Sequence, residues 1–124
     1  MGLEVAIKEE PGYLAVTLSG EYSLAAAKEI GSRVHVEALS LECRKVLIDA
    51  RQVRGKVGLM DRLKLGAAAA MLWRKDLTVA LVYRAEEMDG FFERSARHRG
   101  VRMRSFADMS TAREWLLAEE STAN

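Results

Sequence analysis

The chain has 124 residues, of which 49% are hydrophobic and 30% charged, with a formal net charge of +1. That length can bury one core but not two, so residues 1–124 are expected to form a single domain. The composition excludes a disordered chain, and the near-zero net charge removes any global attraction to nucleic acid or an anionic membrane. The charge is unevenly placed: residues 1–50 sum to −3, 51–75 to +6, 76–90 to −3, 91–104 to +4 and 105–124 to −3. Cys43 is the one cysteine and cannot close an internal disulfide, and no basic-then-apolar leader opens the sequence. The uncharged, apolar stretch from Leu65 to Trp73 is far shorter than the ~20 apolar residues of a membrane span. A cytoplasmic chain with no membrane span is the expectation.

In chain order, "LEVAIKEE" (3–10) and "YLAVTLS" (13–19) alternate apolar and polar residues around Pro11-Gly12, which predicts an antiparallel hairpin. Ser23 has the residue type and place of a helix cap. Ala26, Ile30, Val34 and Ala38 then recur at four-residue spacing, predicting a helix over 24–39. "KVLIDA" (45–50) is apolar on both faces, as in a parallel strand covered by helices on each side. Leu59, Leu63, Ala67, Ala70 and Met71 mark the expected buried face of a second helix, and "LTVALVY" (77–83) a further buried strand. A third helix is expected to bury Met88, Phe92 and Ala96 and to end at Gly100, which suits a left-handed terminator. "VRMRSF" (101–106) reads as an edge strand. The last helix is expected to start near Ser110, where Thr111 and Glu114 have capping-box spacing, to bury Ala112, Trp115 and Leu116, and to stop near Glu119. The resulting order, β-β-α-β-α-β-α-β-α, implies a mostly parallel sheet with an antiparallel first strand, flanked by helices.

This order, the strand "KVLIDARQV", the motif "LMDRLKLG" at the next helix start and the closing "VRMRSFADMSTAREWL" together resemble the SpoIIAA-like branch of the STAS domains, from about Val5 to Leu117. That group is similar in fold to the lipid-binding lobe of the Sec14 (CRAL-TRIO) proteins. The resemblance implies a bacterial, non-enzymatic protein-binding domain without a cofactor. In anti-anti-sigma domains of this type, a serine in an Asp-Ser-Ser-Gly-like motif at the helix start is phosphorylated to switch partner binding. Here Asp61 matches the aspartate, whereas Arg62 and Leu63 stand at the hydroxyl positions, and no Ser or Thr occurs from Leu41 to Leu77. The resemblance therefore implies a switch-region scaffold without its phosphorylatable residue.

Arg51, Arg54, Lys56, Arg62 and Lys64 gather after the carboxyl end of a parallel strand, where open α/β sheets bind ligands. Gly55 and Gly58 permit close backbone approach, but "GKVG" lacks the phosphate-loop pattern. Three readings stay open: a solvated basic loop, a cradle for a small anionic ligand, or a partner surface. The second basic block, 91–104, is expected nearer the other end of the sheet, which argues against a continuous nucleic-acid face. Arg102 and Arg104, two apart on a strand, suit the protection of a sheet edge. His35 and His98 lack companions at metal-ligand spacing and read as surface histidines, and Cys43 reads as a packing residue. Asp49 and Asp61 could pair as carboxylates for acid–base work, although capping and ion-pair roles are commoner.

The reading that follows is a protein-interaction module, binding a partner or a second copy of itself. Arg51, Arg54, Lys56 and Arg62 would steer an acidic surface, Leu59, Met60 and Asp61 would complete the contact, and neither metal nor catalytic residue is assigned. The alternative is a carrier of a small amphipathic or lipid-like ligand, in a pocket lined by Leu59, Leu63, Met71, Met88, Phe91 and Phe92.

Overall fold

The alternating stretches at the start of the chain pair as expected, β1 (Leu3–Glu10) running antiparallel to β2 (Tyr13–Glu21) around a turn in which Gly12 takes φ 87°. The structure is a computed structural model that describes residues 2–74, 76–84 and 91–118. Helix α1 (Leu24–Ser40) begins where the Ser23 side chain accepts a hydrogen bond from the Ala26 amide, and it buries Val34 and Ala38. Strand β3 (Lys45–Arg54), helix α2 (Leu59–Trp73), strand β4 (Thr78–Val82), helix α3 (Phe91–His98), strand β5 (Arg102–Phe106) and helix α4 (Met109–Ala118) complete the order.

The five strands lie side by side in sequence order, with β2 to β5 parallel. Right-handed crossovers between successive parallel neighbours all return on the same side, so α1, α2 and α3 share one face. There Val46, Ile48, Val79 and Met103 meet Val34, Ala38, Ala69, Trp73 and Ala96. The other face is left to α4, whose Ala112 and Leu116 pack with Leu47, Ala80 and Val82. β3 and β4 are thus covered on both sides, which explains their near-continuous apolar runs. β1 and β5 are the borders.

Three details depart from the sequence reading. The buried face of α2 is Gly66, Ala69, Ala70 and Trp73, while Leu59 and Met71 are exposed. Small residues face inward because α2 lies close to its neighbours: a Cβ on Gly66 would sit 2.6 Å from the Ser95 hydroxyl of α3. Second, α4 starts one residue early and is capped by Asp108, whose carboxylate accepts from the amides of Ser110 and Thr111 and from the Thr111 hydroxyl. Third, β3 runs four residues past Ala50, to Arg54. Of the residues expected along α3, Ala96 is buried, whereas Met88 and the side chains of Phe91 and Phe92 lie outside the described residues. Gly100 takes φ 95° at the end of α3, as expected.

Cys43 packs against the core and donates to the Lys45 carbonyl. His35 is no simple surface residue: its Nε2 lies 2.6 Å from Asp76 Oδ2, joining α1 to the turn that precedes β4. Trp73 also ties the layers together, donating its indole N–H to the Gly31 carbonyl of α1 at 3.1 Å.

Candidate functional site at the start of the second helix

The extension of β3 builds the site. Past Asp49 the strand leaves β4 behind and continues along β2 alone, with Gln52, Val53 and Arg54 opposite Ser19, Gly20 and Glu21. The register slips between Thr17 and Ser19, so β3 carries one extra residue there, a β-bulge after which its pairing with β2 resumes. At this bulge Asp49 takes the Arg51 guanidinium in a two-pronged pair, Nε and Nη2 each at 2.9 Å, and accepts the Arg51 amide as well. Hydrogen bonds from Arg51 hold the Asp49 carboxyl below the usual carboxylate range, against the opposing effect of burial.

Arg54 reaches Glu21 at 3.2 Å in an exposed ion pair, and its carbonyl accepts from the Tyr22 amide at 2.8 Å. Gly55 then takes φ 98°, a left-handed turn that suits a residue without Cβ, and the chain enters α2 after Gly58, which offers no side-chain cap. The tie across this corner is Tyr22, whose hydroxyl donates to Asp61 Oδ2 at 3.0 Å in the first turn of α2. Burial, and then the Asp61 carboxylate, push the Tyr22 hydroxyl well above the ordinary tyrosine range, so it stays a neutral donor. Asp49 and Asp61 therefore do not form a carboxylate pair; each is engaged by a different residue.

The residues named from the sequence separate into three groups. Arg51 and Arg54 are met by carboxylates at the bulge. Lys56 is exposed in the connecting loop, with Leu59 58% and Met60 62% exposed beside it at the head of α2. Arg62 turns toward the inside, where it lines an apolar crevice of about 190 Å³ between the sheet and helices α1 and α2. Val16, Leu18, Ile30, Ile48, Val57 and Leu65 form much of its wall, and Tyr22, Arg62, Tyr83 and Arg84 line it as well. Of the six residues expected to line a pocket, Leu59, Leu63 and Met71 are not among these, and Met88 and the side chains of Phe91 and Phe92 lie outside the described residues. Leu63 instead lines a shallow depression with Arg94, Ser95 and His98 of α3 and with Arg99 just after it, so part of the second basic block lies beside α2.

Sequence reasoning missed Tyr22 because its partner is 39 residues away, and missed the outer face of α2 by assigning Met71 to the core. Met71 is 88% exposed. At 100° per residue, the eleven residues from Met60 to Met71 return to within about 20° of the same side, so the two methionines share a face. Among the described residues no three His, Cys, Asp or Glu side chains cluster as metal ligands, and no helix is long and apolar enough to cross a membrane.

No family model matches the sequence, and no curated protein matches it either. Solved structures do. The crystal structure of an anti-sigma factor antagonist from Mycobacterium paratuberculosis superposes with a TM-score of 0.62 at 17% identity, covering 92% of this chain and 93% of that one. An uncharacterized protein with a SpoIIAA-like fold from Shewanella loihica gives a TM-score of 0.57 at 18% identity, covering 93% of this chain and 94% of that one. Likeness spread over more than nine-tenths of the chain, joined to the mixed sheet described above, shows that this protein has a SpoIIAA-like fold.

Proposed function

We propose that the protein is a non-enzymatic binding module that docks a protein partner on the outer face of α2 and the loop before it. The observation that carries this reading is the exposure of Leu59, Met60 and Met71 on one helix beside the basic loop. Unbranched methionine adapts to a partner's surface, and an apolar strip bordered by cations is common at interfaces of moderate affinity. Lys56 and Lys64, both exposed, provide the steering that the sequence assigned to Arg51 and Arg54, now held by Asp49 and Glu21. The similarity to an anti-sigma factor antagonist supports a protein partner. Since Arg62 and Leu63 replace the hydroxyls of the related switch, docking here is not controlled by phosphorylation of this helix start. The test is capture from a lysate by immobilised protein. Leu59→Ser with Met60→Ser, both at exposed positions, should leave the fold intact by circular dichroism and abolish capture; equal capture by the variant refutes the reading.

The crevice favours a second reading, a carrier of a small amphipathic ligand. Its volume of about 190 Å³ exceeds the ~150 Å³ apolar cavity that accepts benzene, so a compact apolar body fits, with its polar or anionic end toward Arg62, Arg84 and the two tyrosines. Native mass spectrometry of freshly purified protein separates the readings: a carrier retains added mass, and a partner-docking module runs at its sequence mass.

A further inference from the structure

The two borders of the sheet are unlike. β5 is short, its exposed Arg102 and Arg104 stand on one side, and the Ser105 amide is occupied by the Glu93 carboxylate of α3 at 2.6 Å. An antiparallel copy of β5 would bring like charges together, and one of its amides is already engaged. β1 is eight residues long, runs in unbroken register with β2, and has no bulge or internal proline.

The hairpin turn decides which backbone groups of β1 face outward. Its two-residue loop makes Glu10 and Tyr13 the closing hydrogen-bonded pair, and the ladder then alternates. Glu4, Ala6 and Lys8 direct their amides and carbonyls at β2, whereas Leu3, Val5, Ile7 and Glu9 direct theirs to the open border. The side chains alternate too. Val5 and Ile7 are half-buried at the margin of the core, and Glu4, Ala6 and Lys8 are exposed on the opposite face, beyond the reach of α4.

From this pattern we propose that two copies of the chain pair through β1, antiparallel about a two-fold axis at Ala6, to form one continuous ten-stranded sheet. With Ala6 opposite Ala6, outward-facing Val5 meets outward-facing Ile7 and Leu3 meets Glu9, so all four outward residues of each copy find partners, about eight hydrogen bonds in total. The same register sets Glu4 opposite Lys8 twice, and it brings the half-buried Val5 and Ile7 of the two copies side by side. Moving the axis to Ile7 would face Glu4 with Glu10, and moving it to Val5 would shorten the ladder and leave Lys8 opposite Gly2. A shift that pairs odd with even residues would set outward groups against inward ones. Charge and hydrogen bonding therefore select one register, which is isologous as a two-fold requires. Lys8 is the residue that would ordinarily guard this border, and in this register it is answered by the Glu4 of the other copy.

Sedimentation velocity across a concentration series tests the pairing. The native chain should sediment as a dimer at high concentration. Lys8→Glu or Glu4→Lys turns two attractive pairs into two repulsive ones and should weaken the dimer at least about tenfold, and the double swap Glu4→Lys/Lys8→Glu should restore it. Lys8 has a 78% exposed side chain, so these changes leave the fold in place. Independently, Ala6→Cys in a Cys43→Ser background should close an intermolecular disulfide under mild oxidation, because non-hydrogen-bonded antiparallel partners hold their Cα atoms about 4.5 Å apart, within the range a disulfide spans. A native chain that stays monomeric, single swaps without effect, a double swap that fails to recover, or an Ala6→Cys chain that does not cross-link would each overturn the proposal.

Discussion

Replacing Tyr22 with Phe removes a single hydroxyl from the corner that holds α2. The bond it breaks, 3.0 Å to Asp61, has a charged acceptor, and buried bonds of that kind contribute about 1.5–3 kcal/mol. Tyr22 and Asp61 are both only half-buried, so water recovers part of the loss and the expected destabilisation is about 1 kcal/mol. Because α2 begins at Gly58 without a side-chain cap, the effect should concentrate in its first turn, with amide exchange from Arg62 to Leu65 about fivefold faster. Urea denaturation of Tyr22→Phe, Asp61→Asn and the double variant forms a thermodynamic cycle whose coupling should reach about 0.5–1 kcal/mol. Ultraviolet titration adds a second readout: Asp61→Asn should move Tyr22 ionisation downward toward the ordinary tyrosine range, while the larger effect of burial persists. Additive single effects, with exchange in α2 unchanged, would refute the tie between these residues.

Trp73→Phe should cost about 2 kcal/mol, from the lost indole bond to Gly31 and the space left between α1 and α2, and should appear as a lower urea midpoint at unchanged m-value. Asp108→Ala removes the acceptor of two amides at the head of α4 and should destabilise the protein by about 1 kcal/mol by thermal melting. The Asp49 carboxyl is held below its unfolded value, so its pairing with Arg51 contributes stability above about pH 4 that is lost as pH falls through the folded value. Asp49→Asn should accordingly flatten the acid limb of a stability-against-pH curve and leave its slope near neutrality unchanged.

Much of the architecture was legible because β-alternation and the Pro11-Gly12 turn are local signals, and because the strand "KVLIDA" advertises burial on both faces. The phase of α2 was not. Large apolar side chains at Leu59, Leu63 and Met71 suggested one stripe, but the close approach of α3 at Gly66 and of the sheet at Ala69 and Ala70 selects the small residues for the inner face and turns the methionines out. The location of the basic residues was also readable, yet their chemistry was not. Arg51 folds back on Asp49 because a bulge lets residues two apart chelate, and that bulge arises from pairing with a strand some 30 residues earlier. Tyr22, the crevice and the guanidinium of Arg62 beside it depend on contacts that no local pattern encodes.

The docking reading is most directly tested by placing a photo-reactive benzophenone side chain at Met60, at Met71 and, as a control on the opposite face of the sheet, at Glu114, and irradiating each in intact cells that make the protein. The account predicts one shared adduct from Met60 and Met71 and none from Glu114. Adducts that form equally at all three positions, or at none, would contradict it.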